Sequence, residues 1–600
     1  MGNKFYENRD DIDIQYRWNL EDMYSNDKLW EEDIKKAENL TEEFLQRKGS
    51  VMKSSSSLLA SLRAMEEIDI LLEKAFVYAR MRMDEDNRDS ERQKKLDRIT
   101  TTLTKLGSDL SFFIPEILEA SESKIRQYMS EEAGLNQYSH MLETLLRNQS
   151  HVLSEAEENI LAGLSQVNSA PHAIFNMLNN ADMKFGKIID ENGDTIELTQ
   201  GNYIKFMQSH NQDVRKSAFE KMYQAYEKLI NTISSTYSFS VKNDVVKSQI
   251  RKYPSARNAA LYSDNIPESV YDNLVKVVND NLPNLHRYMS LRKQVLGLDN
   301  QHMWDVYVPL VELPQNEYPF EEGVDIVLNA LKPLGQEYCN NLKNGIESRW
   351  IDVYETPGKT SGAYSFGSYD SMPYSLMNYT DTLNDVFTLI HEMGHSMHSY
   401  YTRKVQPYTY GDHSIFTAEV ASTVNESLLI KYLLENEKDT EVRKYLINFY
   451  LEQFRATLFR QTMFAEFEHK CHEYVENNGS LTPSWLNEKY EKLNQKYYGS
   501  SIEKDDYIKY EWARIPHFYR AYYVYQYATG FSAATSLSKR ILEGGNKERN
   551  DYLKFLSLGS SMYPVDLLKI AGVDMTSTKP VSEAMQTFNT LLEDLERLYK

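Results

Sequence analysis

Apolar residues recur at helical spacing through the first 180 positions. Leu58, Leu59, Leu62, Met65, Ile68 and Leu72 fall at steps that place them on one helix face. This stretch is rich in Leu, Glu, Lys and Met, with few Gly or Pro, and predicts several antiparallel helices. Charge runs such as Glu91-Arg92-Gln93-Lys94-Lys95 read as solvated faces, and Ser54-Ser55-Ser56-Ser57 as a helix start. The pattern breaks at residues 183–198, where Asn192-Gly193 lies between alternating apolar residues and signals a hairpin. A boundary here separates an N-terminal helical portion, residues 1–200, from a second portion, residues 201–600. Helical spacing resumes over residues 203–350. Residues 251–263, with Tyr253-Pro254-Ser255, read as a connection, and residues 306–311 as a short edge strand, given the internal Pro309. Residues 350–378 carry Pro357, Gly358, Gly362, Gly367 and Pro373 among Tyr, Phe and Ser, which predicts loop and strand. The fold class is mostly α with a small β element.

Composition narrows the partners. Six hundred residues exceed one small core, so two or more domains or one large helical body are expected. A net charge of −21 offers no basic field to a nucleic-acid backbone and suits neutral or cationic peptides. With Cys339 and Cys471 alone, no disulfide framework is expected, and a reducing cytoplasm fits. Cys471 precedes His472, but helix neighbours do not face each other, so no catalytic dyad is read there. Residues 1–10 are polar without an apolar signal core, Tyr6 breaks a myristoylation pattern, and no apolar run is long enough to span a membrane. Oligomeric state has no signature here.

The chemistry concentrates at His391-Glu392-Met393-Gly394-His395. Positions i and i+4 of a helix share a face, roughly 6 Å apart, so both imidazoles can reach one zinc ion while Glu392 stays free as a general base. Thr382 with Asp385 reads as a capping box that starts the helix, and Phe387, Leu389 and Ile390 bury it. Gly394 disfavours a helix, which suggests that another backbone packs close. The spacing alone recurs by chance, so a third ligand is needed. Tyr401 stands where a metzincin has its third His. Glu419, among small and apolar residues of 414–426, is the candidate instead, since a buried carboxylate needs a partner or a metal. Glu426, two turns on, either orients a ligating His or is an ordinary surface carboxylate. His398 lies too far along the axis from His391 to share an ion with it. It reads as a supporting or structural residue, and His413 as a loop residue.

His391-Glu392-Met393-Gly394-His395-Ser396-Met397-His398 and Phe416-Thr417-Ala418-Glu419-Val420-Ala421-Ser422 resemble the oligoendopeptidase F branch of the thimet-oligopeptidase family. The likeness extends through Gly362-Ala363-Tyr364-Ser365, Pro373-Tyr374-Ser375-Leu376-Met377-Asn378, Ile515-Pro516-His517-Phe518-Tyr519 and the opening Tyr16-Arg17-Trp18-Asn19-Leu20-Glu21-Asp22-Met23-Tyr24.

The resemblance implies one helical body around a deep substrate cleft. It also implies one Zn2+ per chain held by His391, His395 and Glu419 on two helices, and cleavage of internal bonds in short unstructured peptides. Gly362, Ala363, Tyr364 and Gly367 fit an edge strand that binds an extended peptide through its main chain, where an ordinary Gly-rich connection is the alternative. Tyr519, Tyr523 and Tyr527 fall on one helical face, an arrangement more common in cores. The resemblance selects His517, Tyr523 and Tyr527 as donors to the oxyanion formed in peptide hydrolysis. The gap from His517 to Tyr523 is one residue longer than in the related thimet enzymes, which leaves the tyrosine register open. A dipeptidyl carboxypeptidase remains the alternative. A peptide-binding protein with structural zinc is disfavoured, because three ligands and a free Glu392 describe an open site.

Overall fold

The computed structural model describes residues 6–312 and 316–600. The first five residues of the polar opening, and residues 313–315 of the 203–350 stretch, lie outside the described residues. Helices dominate, and strand is confined, among the described residues, to β1 (Lys187–Ile189), β2 (Thr195–Glu197), β3 (Ile351–Asp352), β4 (Tyr364–Phe366) and β5 (Tyr374–Leu376).

Spatial contact divides the chain into two compact units. Met1–Ser150, Gln315–Tyr432 and Leu537–Val573 form the first; His151–Pro314, Leu433–Ser536 and Asp574–Lys600 form the second. A single cut at residue 200 therefore does not describe the packing. Helices associate through their apolar faces, and each unit draws those faces from three separate stretches of chain.

In the first unit the Ser55–Glu85 helix buries Leu58, Leu59, Leu62, Ile68 and Leu72, the face its spacing predicts. Ser54 caps it by accepting the Ser57 N–H at 3.1 Å. Glu91, Gln93 and Lys94 are exposed, as a solvated face requires. The N-terminal core takes in Trp18, Trp30, Ile34 and Tyr78, and also Tyr374 and Leu376 from β5.

That core carries a three-stranded sheet in the order β3-β5-β4. β3 runs parallel to β5, and β4 pairs antiparallel to it with Ser365 opposite Ser375. The segment before the first helices ties the sheet down: Val353 N–H donates to Tyr16 O and Tyr374 Oη to Asn19 O, both at 2.9 Å. In β3 itself, Asp352 is fully buried. Burial opposes its charge, but Lys359 at 2.8 Å and Arg9 outweigh that and hold its carboxyl down to about 2.

The second unit contains the β1–β2 hairpin, with Ile188 opposite Ile196 and Gly193 at φ +85° in the turn, as Asn192-Gly193 predicts. Two readings fail here. Residues 306–311 form no strand; they leave the 3₁₀ turn Met303–Asp305 as turn and loop, with Val308 O taken by the buried Arg292 and Pro309 unable to donate. Residues 251–263 are not a bare connection, because Ser255 caps a short helix, Ala256–Tyr262.

Candidate metal centre

Thr382 and Asp385 form the capping box that opens the Leu383–Val405 helix: Asp385 N–H donates to Thr382 Oγ1 at 3.3 Å, and Thr382 N–H to Asp385 Oδ2 at 2.9 Å. Phe387, Leu389 and Ile390 seat this helix in the first unit. His391 and His395 then emerge on one face, half-buried, with ring centroids 4.8 Å apart. Gly394, between them, meets the second helix, Ile415–Asn436. A Cβ there would lie 2.5 Å from Ser422 Cα and 2.8 Å from Ser422 N, so the two backbones touch at a point where only glycine fits.

This contact brings Glu419 to the histidines. Its Oε2 stands 3.5 Å from His391 Nε2 and 3.4 Å from His395 Nε2, and the two Nε2 atoms are 3.2 Å apart. The three ligand atoms lie within 4.8 Å of one another, a group that could hold one metal ion. Glu426, two turns along, accepts the His391 Nδ1–H at 2.7 Å and so turns Nε2 toward Glu419. Burial works against charge on His391, but the Glu426 bond and the nearby carboxylates outweigh it and raise the imidazole to about 9. The hydrogen bond with His395 holds Glu419 down to about 2 against its burial.

Glu392 points elsewhere. It is 7 % exposed, and its Oε2 is buried without a protein partner. Burial raises its carboxyl, with the two imidazoles opposing. A carboxylate in that setting is a better proton acceptor than an exposed one.

His391, Glu392, His395 and Glu419 line a cavity of about 820 Å³, together with Ala363, Tyr364 and Gly367. Gly362 lies just outside this lining, at φ +82°, and its carbonyl accepts from Asn378 at 2.8 Å. Among the described residues β4 pairs with β5 alone, so its other edge has no strand partner. Ser396, beside His395, bonds to Ser365 of β4 at 2.8 Å and to Ser375 of β5 at 3.1 Å, which fixes the sheet against the motif helix. The Tyr364 hydroxyl is committed to Asp84 at 2.8 Å.

The cavity has members that sequence reasoning missed. Ser399 and Arg403 continue the His391–His395 row at steps of four, and that period was the available signal. Arg403 donates to Ser368 O at 2.7 Å and Gly367 O at 2.9 Å, shaping the end of β4. Glu73 and Asp412 also line the cavity, and burial pushes the Glu73 carboxyl up to about 7. No local pattern marks either residue.

His398 is buried. Its ring stacks on His413 at 3.6 Å and lies 5.3 Å from Phe555. Burial lowers both imidazoles, that of His413 to about 4.

His517, Tyr523 and Tyr527 belong to the second unit, where they meet one another. His517 stacks on Tyr523 at 5.9 Å, Tyr527 lies 6.0 Å from His517 edge-on, and the two phenol oxygens are 3.4 Å apart. They do not share a continuous helix with Tyr519. His517 and Tyr519 sit on the 3₁₀ turn Pro516–Tyr519, and the next helix is Tyr525–Glu543. Tyr519 instead packs on Phe175 at 4.5 Å and bonds Thr236 at 2.7 Å. Burial, then the charges of Arg460 and Arg520, lower His517 and favour its neutral form. Cys471 and His472 form no dyad: both are buried, with His472 Nδ1 on Glu468 O at 2.9 Å.

The chain is similar to known proteins in both sequence and structure. The profile of Peptidase family M3 matches residues 205–587, and that of Oligopeptidase F residues 116–185. Oligopeptidase PepF of Bacillus subtilis is 46% identical over 590 residues, covering 98% of this chain and 88% of that one. Group B oligopeptidase PepB of Streptococcus agalactiae is 42% identical, covering 99% and 98%. The crystal structure of oligoendopeptidase-F from Enterococcus faecium superposes with a TM-score of 0.74 at 39% identity, covering 96% of this chain and 99% of that one. The chain belongs to Peptidase family M3, as a metalloendopeptidase of the oligoendopeptidase F branch.

Proposed function

We propose that the protein is a zinc endopeptidase of short, unstructured peptides, with one Zn2+ held by His391, His395 and Glu419. The observation that carries this reading is the meeting of two imidazoles and one carboxylate within 4.8 Å, beside a buried carboxylate with an unpartnered oxygen. Two nitrogens and one oxygen are a zinc donor set, and three protein ligands are the number that leaves a reactive position. Zinc, when bound, supplies a Lewis acid for the scissile carbonyl and makes water more acidic. Glu392 Oε2 takes the proton from the attacking water and delivers it to the leaving amine. Glu426 fixes the His391 tautomer. Ala363, Tyr364 and Gly367 of the β4 edge, with Gly362 next to them, hold an extended peptide by its main chain, which demands little of its side chains. His517, Tyr523 and Tyr527 donate to the oxyanion; neutral donors of this kind cost no reorganisation at the moment of reaction. His398 supports the motif helix from its underside, through the stack on His413.

The division at residue 200 describes function in this reading. Both clusters lie in residues 201–600, and the helical core that carries the sheet comes from within residues 1–200, between Trp18 and Leu146. No described helix is long and apolar enough to cross a membrane. Two free, buried cysteines and the acidic surface support a cytoplasmic setting without nucleic-acid partners.

Glu392→Gln tests the core of the proposal. It should keep stoichiometric zinc and lose turnover by about 10²–10⁴-fold on an end-blocked peptide. Near-parent turnover, or loss of zinc, would overturn the base assignment. Failure to cut any end-blocked peptide while free-ended ones are cut would favour the exopeptidase.

A further inference from the structure

The approach of His517 to Tyr523 depends on a sharp reversal of the chain. The 3₁₀ turn ends at Tyr519 and the next helix begins at Tyr525. Between them Tyr522 lies in the left-handed region at φ +52°, a conformation that bulky L residues rarely adopt. Its N–H is outside any helical ladder and donates to Glu468 Oε1 at 2.7 Å. Glu468 belongs to the Arg460–Glu476 helix and is fully buried, with Oε2 lacking a protein partner. Buried polar groups ordinarily find partners, so a half-satisfied carboxyl in a core needs an explanation. Burial pushes this carboxyl up to about 8, with His472 opposing, so it is mostly neutral near pH 7.

The rest of the reversal is pinned on both sides. The Tyr522 ring lies 4.9 Å from His472 and 5.7 Å from Tyr271, and its hydroxyl is 3.1 Å from His469 Nδ1. Before the turn, the Phe518 ring packs 5.4 Å from Phe467 and 5.6 Å from Phe464. Glu468 is the partner of the backbone N–H at Tyr522, the left-handed residue of the reversal.

We propose that Glu468 is a positioning residue for the hydrolytic reaction, one that fixes the left-handed turn at Tyr522 and thereby holds His517 against Tyr523 and Tyr527. This rests on the reading of those three side chains as oxyanion donors. Without an acceptor at Glu468, the Tyr522 N–H is orphaned and the turn relaxes toward negative φ. His517 and Tyr523 then separate. Because the oxyanion exists only in the transition state, the loss falls on kcat and spares KM.

The test compares Glu468→Gln, Glu468→Asp, Glu468→Leu and Tyr523→Phe as zinc-loaded full chains. Gln keeps a neutral carbonyl for the Tyr522 N–H and should retain parent kcat. Asp falls one methylene short and Leu lacks an acceptor; each should lose kcat by about 10²-fold per zinc-loaded molecule, with KM unchanged. Adding Tyr523→Phe to Glu468→Leu should cost little more. A role in stability alone would lower the yield or melting temperature and leave kcat per folded molecule intact. Parent kcat in folded Glu468→Asp or Glu468→Leu, or fully additive losses in the double variant, overturns the positioning role while leaving the donors in place. Parent kcat in Tyr523→Phe overturns the donor reading itself, and the positioning role with it.

Discussion

The metal cluster and the imidazole–phenol cluster are built in opposite ways. His391 and His395 are placed by one helical period and Glu419 and Glu426 by another, and the two helices meet at Gly394. Every position follows from a repeat. His517 and Tyr523 meet because the chain leaves a 3₁₀ turn, passes through one left-handed residue and enters a helix. No repeat places them, and a carboxyl 54 residues away in the chain secures the turn. Regular geometry makes a site that each local segment specifies. Irregular geometry makes one that depends on distant residues.

Perturbing each cluster should expose that difference. Glu419→Ala removes one of the three proposed ligands, so zinc and turnover should be lost together; tight stoichiometric zinc in that variant would place the third ligand elsewhere. Tyr523→Phe should leave zinc untouched and lower kcat by about 10²–10³-fold. Peptide cleavage and metal content measured on the same samples separate the two clusters. Glu426→Gln should weaken zinc by about 10–100-fold in a chelator competition, because His391 loses its orientation but not its nitrogen.

A pH dependence follows from the same bond. In the metal-free protein His391 titrates near 9, above its ordinary value. The stability this proton confers is complete below about pH 6.5 and is lost as pH rises through about 9. Zinc needs the neutral ring, so its uptake near pH 7 should release a proton, and affinity should climb until about pH 9. Calorimetry in buffers of different ionisation enthalpy reads the proton; no release would contradict the raised imidazole.

The smallest effects concern glycines. Gly394→Ala forces a methyl against Ser422 and should cost about 1–3 kcal/mol along with weaker zinc. Gly530, on the Tyr525–Glu543 helix, has open space within 4 Å of the point where a methyl would sit. Gly530→Ala should therefore gain about 0.5–1 kcal/mol in thermal unfolding.

What could be read from the sequence divides along the same line. The capping box at Thr382, the His391–His395 face, the close backbone at Gly394 and the hairpin at Gly193 are local patterns with a fixed period or a fixed turn chemistry. The edge strand expected at Val306 failed because β-branched residues describe a suitable surface without supplying a pairing partner. The joint helix expected for Tyr519, Tyr523 and Tyr527 failed because the chain passes through a left-handed residue, Tyr522, between the 3₁₀ turn and the next helix. Glu73 and Asp412 reach the cavity through tertiary packing, for which the chain carries no local mark.

β5 also sets an order in time. Tyr374 and Leu376 complete a core whose other buried members lie between Trp18 and Leu146. On the ribosome those members emerge more than two hundred residues before β5, which at about 5–20 residues per second is roughly ten to forty seconds. For that interval the nascent helices present an apolar surface with its last two side chains missing. The strand that pairs with β4, the strand lining the cavity, is thus also the closing piece of a core whose other buried members are made first.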